Sequence, residues 1–193
     1  MAKNSNQTLI SGWGGYPIRK TNMVYPTNIE QIQNIIKKSD LIARGNGRAY
    51  GDSSINEKNT ISMKYFDHIL SFDDSSGILV AESGVLLEDI IHTFLPKGWF
   101  PYVTPGSKFT TIGGLIAADV HGKNHHKDGS FRNFVDWFEL INSKGEIKKC
   151  SKNENSELFE WTIGGMGLTG VIIKAAIKLR PVKTCWIKQK TLV

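Results

Sequence analysis

Two stretches of this 193-residue chain hold residues whose types and spacing could do chemistry. The first is Arg44-Gly45-Asn46-Gly47-Arg48-Ala49-Tyr50-Gly51-Asp52, which has three glycines in seven residues. Glycine lets successive backbone N–H groups turn inward with no Cβ in the way, which makes a concave nest for an anion. Arg44 and Arg48 could add charge-assisted hydrogen bonds to a pyrophosphate. A surface turn needing φ > 0 would use the same residues. The pattern G-x-x-x-x-G-K-[ST] is absent, which argues against a P-loop nucleotidase, and the loop is one residue too long for G-x-G-x-x-G.

The second stretch is Asp119-Val120-His121-Gly122-Lys123-Asn124-His125-His126, with three histidines in six residues. Three readings are open: metal ligation, solvated or hydrogen-bonded loop histidines, and a polar loop beside a redox ring that tunes charge and orients substrate. Gly122 and Asn124 weaken a helix that would align His121 with His125, and no second ligand-rich cluster occurs. No metal is expected.

Two further glycine clusters weigh less. Gly165-Met166-Gly167-Leu168-Thr169-Gly170 matches G-x-G-x-x-G, but a dinucleotide fingerprint needs a strand before it, a helix after it and an acidic residue about 20 positions on. Here a helical segment precedes, β-branched Val171-Ile172-Ile173 follows, and no Asp or Glu occurs from Val171 to Val193. Gly113-Gly114, before an apolar helix start, would let a phosphate approach a helix N-terminus, or would allow tight packing.

These loops hang on a mixed set of elements. Residues 1–22 read as an irregular arm. Pro26-Thr27-Asn28 opens a helix with Thr27 and Glu30 as a capping box and Ile29, Ile32, Ile35 and Ile36 on one face. Strands are expected at Leu41–Ala43, Thr60–Met63, Ile78–Glu82 and Val171–Leu179, and helices at Leu86–Leu95, Leu115–Val120 and Glu154–Ile163. A hairpin joins Trp137–Asn142 to Glu146–Cys150. In the acid-free tail, Lys174, Lys178, Arg180, Lys183, Lys188 and Lys190 alternate with apolar residues, which predicts one wet and one buried strand face. Without strict βαβ alternation, the fold class is α+β.

Composition sets the outer limits. Forty per cent hydrophobic and 22% charged residues exclude a disordered chain. No apolar run approaches the roughly 18 residues of a membrane span. The formal charge of +6 and an isoelectric point near 9.3 suit a polyanionic partner or a phosphorylated cofactor equally. The aromatics are too scattered for a base-stacking surface, so no nucleic acid is expected. Cys150 and Cys185 form no zinc or disulfide framework, and no apolar signal segment follows Lys3, so a reducing, cytoplasmic compartment is the expectation.

Taken together and in order, Ala43–Ser53, Pro105-Gly106 with Thr111-Ile112-Gly113-Gly114, Ala118–His126 and Gly164–Ile172 resemble the FAD-binding domain of vanillyl-alcohol-oxidase-type (PCMH) flavoenzymes. His121–His126 followed by Gly129-Ser130-Phe131 resembles the decaprenylphosphoryl-ribose oxidase family within that group. The resemblance runs from about Pro17 to the C-terminus. It implies two α+β subdomains, about 17–70 and about 71–193, with FAD between them.

It also implies roles for particular residues. Ala43, Arg44, Gly45, Asn46, Gly47, Arg48, Ala49, Tyr50, Gly51, Asp52 and Ser53 would form the loop that holds the FAD pyrophosphate. Pro105, Gly106, Thr111, Ile112, Gly113 and Gly114 would line the flavin and the ribityl-phosphate path. Ala118, Asp119, Val120 and His121 would pass beside the isoalloxazine ring, Gly122, Lys123 and Asn124 would border the substrate side, and Ile172 would meet the adenine end.

Two departures shape the expectation. Many relatives attach FAD through a His or Cys, and the first loop contains neither, so FAD is expected to be held non-covalently. Family chains continue into a substrate domain, so this chain is expected to be the N-terminal FAD module of a longer enzyme. No catalytic residue is assigned, since the family's base lies in that absent part. The expected substrate is a polyprenyl-phosphoryl ribose or a related sugar or aldonolactone, with a reductase or epimerase as partner. A basic nucleic-acid-binding module and a fold-only fragment that cannot retain FAD are the alternatives.

Overall fold

The computed structural model describes residues 7–187. Two sheets organise it. The smaller sheet contains β1 (Gln7–Ser11), β2 (Ile18–Val24), β3 (Ile42–Arg44) and β4 (Asn59–Ser62), in the order β1-β2-β4-β3. β1 and β2 pair antiparallel, while β2 and β3 both lie parallel to β4. The parallel pairing needs a crossover, and α1 (Ile29–Ile36) supplies it between β2 and β3. The region read as an irregular arm is therefore mostly a hairpin. Its polar residues misled because both strands are largely exposed and lack an alternating apolar face. Residues 1–6 of that arm lie outside the described part.

α1 starts one residue later than its sequence suggested. Asn28, not Thr27, is the N-cap, accepting a hydrogen bond from the Gln31 N–H at 3.0 Å, and Gln31 Oε1 in turn accepts from Thr27 N–H at 2.9 Å. Glu30 thus sits in the first turn, where a carboxylate meets the positive end of the helix dipole.

The larger sheet runs β5 (Ile69–Asp73), β6 (Ile78–Glu82), β10 (Val171–Pro181), β8 (Val135–Ile141) and β9 (Ile147–Ser151), with β7 (Trp99–Pro101) pairing the end of β10. All its pairings are antiparallel. β5 and β7 had no reading from sequence, being short and, for β5, largely exposed. Against this sheet pack α2 (Leu87–Phe94), α3 (Ile112–Ala117) and α5 (Ser156–Thr162), and a one-turn helix α4 covers His125–Asp128. Among the described residues no helix is long and apolar enough to cross a membrane.

β10 joins the two cores. Val171 and Ile173 pack with Ile32, Ile61, Met63 and Phe66 of the smaller sheet and its helix. Ile172, Ala175, Ile177 and Leu179 pack instead with Leu79, Ile90, Leu115 and Phe138. Odd-numbered residues appear in both groups because the pairing with β8 slips between Ile172 and Lys174, and a slip of one residue reverses which face a side chain takes. One wet and one buried face is accordingly wrong for most of this strand. Ala176 is buried, and Lys174 is half-buried with its ammonium 3.1 Å from Glu139 Oε2. Lys178 is exposed as expected, whereas Lys188 and Lys190 lie outside the described residues.

Candidate cofactor site

The first glycine loop leaves β3 and passes between the two sheets. Two of its glycines are required by geometry. A Cβ on Gly45 would stand 2.2 Å from Thr111 Oγ1, so only glycine lets the loop lie against the start of α3. Gly47 has φ +66°, a left-handed conformation that side chains with a branched Cβ do not tolerate. Asn46 ties the loop down by donating from Nδ2 to the Phe109 carbonyl at 3.0 Å.

The consequence is chemical. Among the described residues, none of the five successive peptide N–H groups from Gly45 to Ala49 donates a hydrogen bond to the protein. These residues are half-buried, apart from exposed Asn46, so their amides are donors left available to solvent or to an oxygen-rich ligand in the cleft. Beside it, Arg48 lies over the Trp13 ring at 4.1 Å and near Phe109 at 5.4 Å, and its buried Nε has no partner.

These residues border a cleft with about 870 Å³ of free volume, part of it open to solvent. Of the residues singled out in the sequence, it brings together Ala43, Gly45, Asn46, Gly47, Arg48, Ala49, Ser53, Thr111, Gly113, Gly114, Ala118, Val120 and Ile172. They come from residues up to 129 positions apart (Ala43 to Ile172), joined where β3, α3 and β10 meet. Met166, Gly167 and Gly170 form part of the same wall, so the third glycine cluster contributes surface there. It does so as a turn from α5 into β10, the reverse of the strand-to-helix order a dinucleotide fingerprint needs.

Other candidates are placed elsewhere. Arg44 lies against the loop at Gly47, but its hydrogen bonds are spent within the fold: its Nη2 donates to the Ser11 carbonyl at 2.7 Å and its Nη1 to Ser54 Oγ at 3.1 Å, and burial pulls its pKa below the usual arginine value. It anchors β1 to the loop. Tyr50, Gly51 and Asp52, like Pro105 and Gly106, are not among the residues that line the cleft. Ile112 is wholly buried in the larger core. Gly113 and Gly114 lie inside the first turn of α3 rather than before it. The N–H groups of Ile112, Gly113 and Gly114 already donate to Val85 O, Ser83 O and Thr111 Oγ1 at 3.0, 2.8 and 3.3 Å, so this helix start offers no free donors to a phosphate.

The histidine stretch lies beyond Ala118 and Val120 and outside the cleft lining. Asp119 takes φ +40° and accepts from Arg132 N–H at 2.9 Å, which ties the stretch to the segment leading into β8. His121 pairs with Ser130 and stands edge-on to His125 at 5.3 Å between ring centres. Gly122 is buried against Thr104, and Asn124 Nδ2 donates to Tyr102 O at 2.9 Å and Asp128 Oδ2 at 2.5 Å. Lys123 is exposed. Sequence reasoning had weakened a helix here, and one turn forms after Asn124 all the same. The three histidines do not converge on a metal geometry; among the described residues the only such grouping is exposed Asp67 and His68 with Glu82.

The cleft also holds residues that sequence reading passed over: Ser54, Met63, Ser83, Thr110 and Ala117, besides Met166, Gly167 and Gly170. None of the first five carries a motif signal; Ser54 follows the first loop directly, and the others lie in or beside β4, β6 and α3 and reach the site through their packing. Cys150 is not a candidate nucleophile, since it is fully buried and burial pushes its thiol up to about 11.

The donor set fits a dinucleotide of the flavin type: unpaired amides and an arginine for a diphosphate, and a wall of small residues for a flat ring. Comparison with known proteins agrees. The family described as FAD binding domain matches residues 21–151. Decaprenylphosphoryl-beta-D-ribose oxidase of Mycolicibacterium smegmatis is 35% identical over 185 residues, covering 92% of this chain and 40% of that protein. Cytokinin dehydrogenase 3 of Arabidopsis thaliana is 26% identical over 180 residues (86% and 34%), and D-lactate dehydrogenase of Anaerostipes hadrus is 29% identical over 171 (82% and 36%). The chain spans about two fifths or less of these relatives. With more than half of its own length matched, the chain belongs to the FAD binding domain family, and its cofactor is FAD.

Proposed function

We propose that the chain is the FAD-holding module of an oxidoreductase that oxidises an alcohol carbon of a sugar-type substrate. The observation that carries this reading is the run of unpaired N–H groups from Gly45 to Ala49 bordering the cleft. FAD held there would supply a two-electron acceptor for a hydride from the substrate carbon. The chain's own residues bind and orient. The Gly45–Ala49 amides and Arg48 neutralise the diphosphate, Gly113, Gly114 and Ala118 present a flat wall without side-chain bulk, and Ile172 closes the far end. FAD is held non-covalently, because the loop from Ala43 to Ser53 has no His or Cys to attach it.

Lys123 and Asn124 stand on the substrate side. Lys123 is exposed and able to meet an anionic group, while Asn124 shapes the turn through Tyr102 and Asp128. The name of the 35% identical relative points to a polyprenyl-phosphoryl ribose or a related sugar as substrate. The longer relatives point to a further substrate domain, and a reductase or epimerase would act on the product in the cytoplasm. The two sheets support subdomains at about 17–70 and about 71–193, with the first extended back to include β1 (Gln7–Ser11).

The test is spectroscopic. The purified chain incubated with FAD and desalted should be yellow, and acid precipitation should release all of the flavin into the supernatant. A colourless protein would refute cofactor binding by this chain, and flavin retained in the pellet would refute non-covalent attachment.

A further inference from the structure

Ser83 follows the last residue of β6 and is 1% exposed. Its backbone is fully engaged, the N–H donating to Ile173 O at 3.0 Å and the carbonyl accepting from Gly113 N–H at 2.8 Å. Its hydroxyl is not: among the described residues, the buried Oγ has no hydrogen-bond partner. Leaving a buried hydroxyl unpaired is costly, and native proteins rarely do so without a ligand or a water to satisfy it. Ser83 nevertheless lines the cleft, on the side where Gly113 leaves space: a Cβ there would stand 3.0 Å from Ser83 Cβ and 3.7 Å from its Oγ.

We infer that Ser83 is a cofactor-positioning residue whose hydroxyl donates a hydrogen bond to an oxygen of the FAD bound in the cleft. This rests on the proposed function. It adds a side-chain contact from the larger sheet, opposite the main-chain donors of the smaller one, so that each sheet holds the nucleotide. No covalent step is involved; the hydroxyl proton stays on Oγ throughout.

The assignment makes two measurements move in opposite directions. Without flavin, Ser83→Ala removes an unpaired buried hydroxyl, so the melting temperature of the flavin-free chain should stay level or rise. With FAD, the variant loses a ligand contact, so its Kd from flavin-fluorescence quenching should rise about five- to tenfold over the wild type. Ser83→Thr, which keeps the hydroxyl but adds a methyl group, should keep more of the affinity than Ser83→Val, which has the methyl groups alone. Equal FAD affinity in wild type and Ser83→Ala would overturn the inference and leave the proposed function standing. A Ser83→Ala variant that melts lower without flavin would also overturn it, since the hydroxyl would then have a partner within the fold. A wild-type chain that does not quench FAD at all would instead overturn the proposed function.

Discussion

Two glycine-rich segments meet at the cleft and behave in opposite ways. From Gly45 to Ala49 the peptide N–H groups have no protein acceptor among the described residues, whereas those of Ile112, Gly113 and Gly114 are all engaged by Val85, Ser83 and Thr111. Glycine serves the first segment by freeing donors for a ligand, and the second by letting a helix start press against a strand end. A glycine cluster is therefore not one signal. What separates the two uses is where the amide hydrogens go, and that depends on which strand lies alongside.

The same contrast appears in the two arginines of the loop. Arg48 stacks on Trp13 and leaves Nε unpaired, while Arg44 is consumed by Ser11 and Ser54. Four residues apart and identical in type, they divide into a ligand-facing cation and a structural one.

The largest expected effect comes from Gly47→Val. A branched side chain at φ +66°, with its Cβ 2.7 Å from Arg44 Nη2, would force the loop out of the nest. FAD affinity should fall about a hundredfold or more, on the order of 3 kcal/mol, with the far-UV circular dichroism unchanged; retention at the wild-type level would remove the loop from the site. Next come the arginines. Arg48→Ala should weaken FAD binding by about tenfold and lower stability by less than about 1 kcal/mol, the scale of an exposed cation–π contact. Arg44→Ala should do the reverse, losing about 2 kcal/mol in urea unfolding because its charged hydrogen bonds to Ser11 O of β1 and to Ser54 Oγ are lost, with the FAD Kd within about threefold of wild type. If both variants shift the same measurement, the division between them is wrong.

A smaller effect is expected from Thr111→Val, which removes the α3 cap. About 1 kcal/mol of stability should go, and FAD affinity should fall less than in Arg48→Ala. The smallest effect lies away from the cleft. His68 Nδ1 is 2.8 Å from Glu82 Oε2, and that carboxylate raises the imidazole pKa. A raised folded-state pKa stabilises fully below the unfolded value near 6.5, and the contribution fades as pH rises through the folded value. The melting-temperature gap between wild type and His68→Gln should be larger at pH 5.5 than at pH 9. A gap that grows with pH would show that the pair is not an ion pair.

Much of the molecule was readable beforehand where local rules decide. The isoleucines of α1 repeat at helical spacing, β6, β8 and β10 are rich in apolar or β-branched residues, and β9 follows from the Lys144-Gly145 turn that folds it back on β8. The hairpin of β1 and β2 was not readable, because its strands lack an alternating apolar face, and the parallel pairing of β2 with β4, which ties it to the sheet, joins residues 37 positions apart (Asn22 with Asn59). The face reversal in β10 was equally hidden, since it comes from a bulge opposite β8.

From its sequence alone, then, this chain declared an α+β fold with a glycine loop suited to an anion, because glycine content, turn chemistry and hydrophobic period are properties of neighbouring residues; the flavin was implied by the family resemblance of the ordered clusters. Which amides stay free, which arginine turns toward the cleft and which buried hydroxyl lacks a partner were decided only by the tertiary structure. Hydrogen-bond satisfaction is a property of atoms brought together across the whole chain.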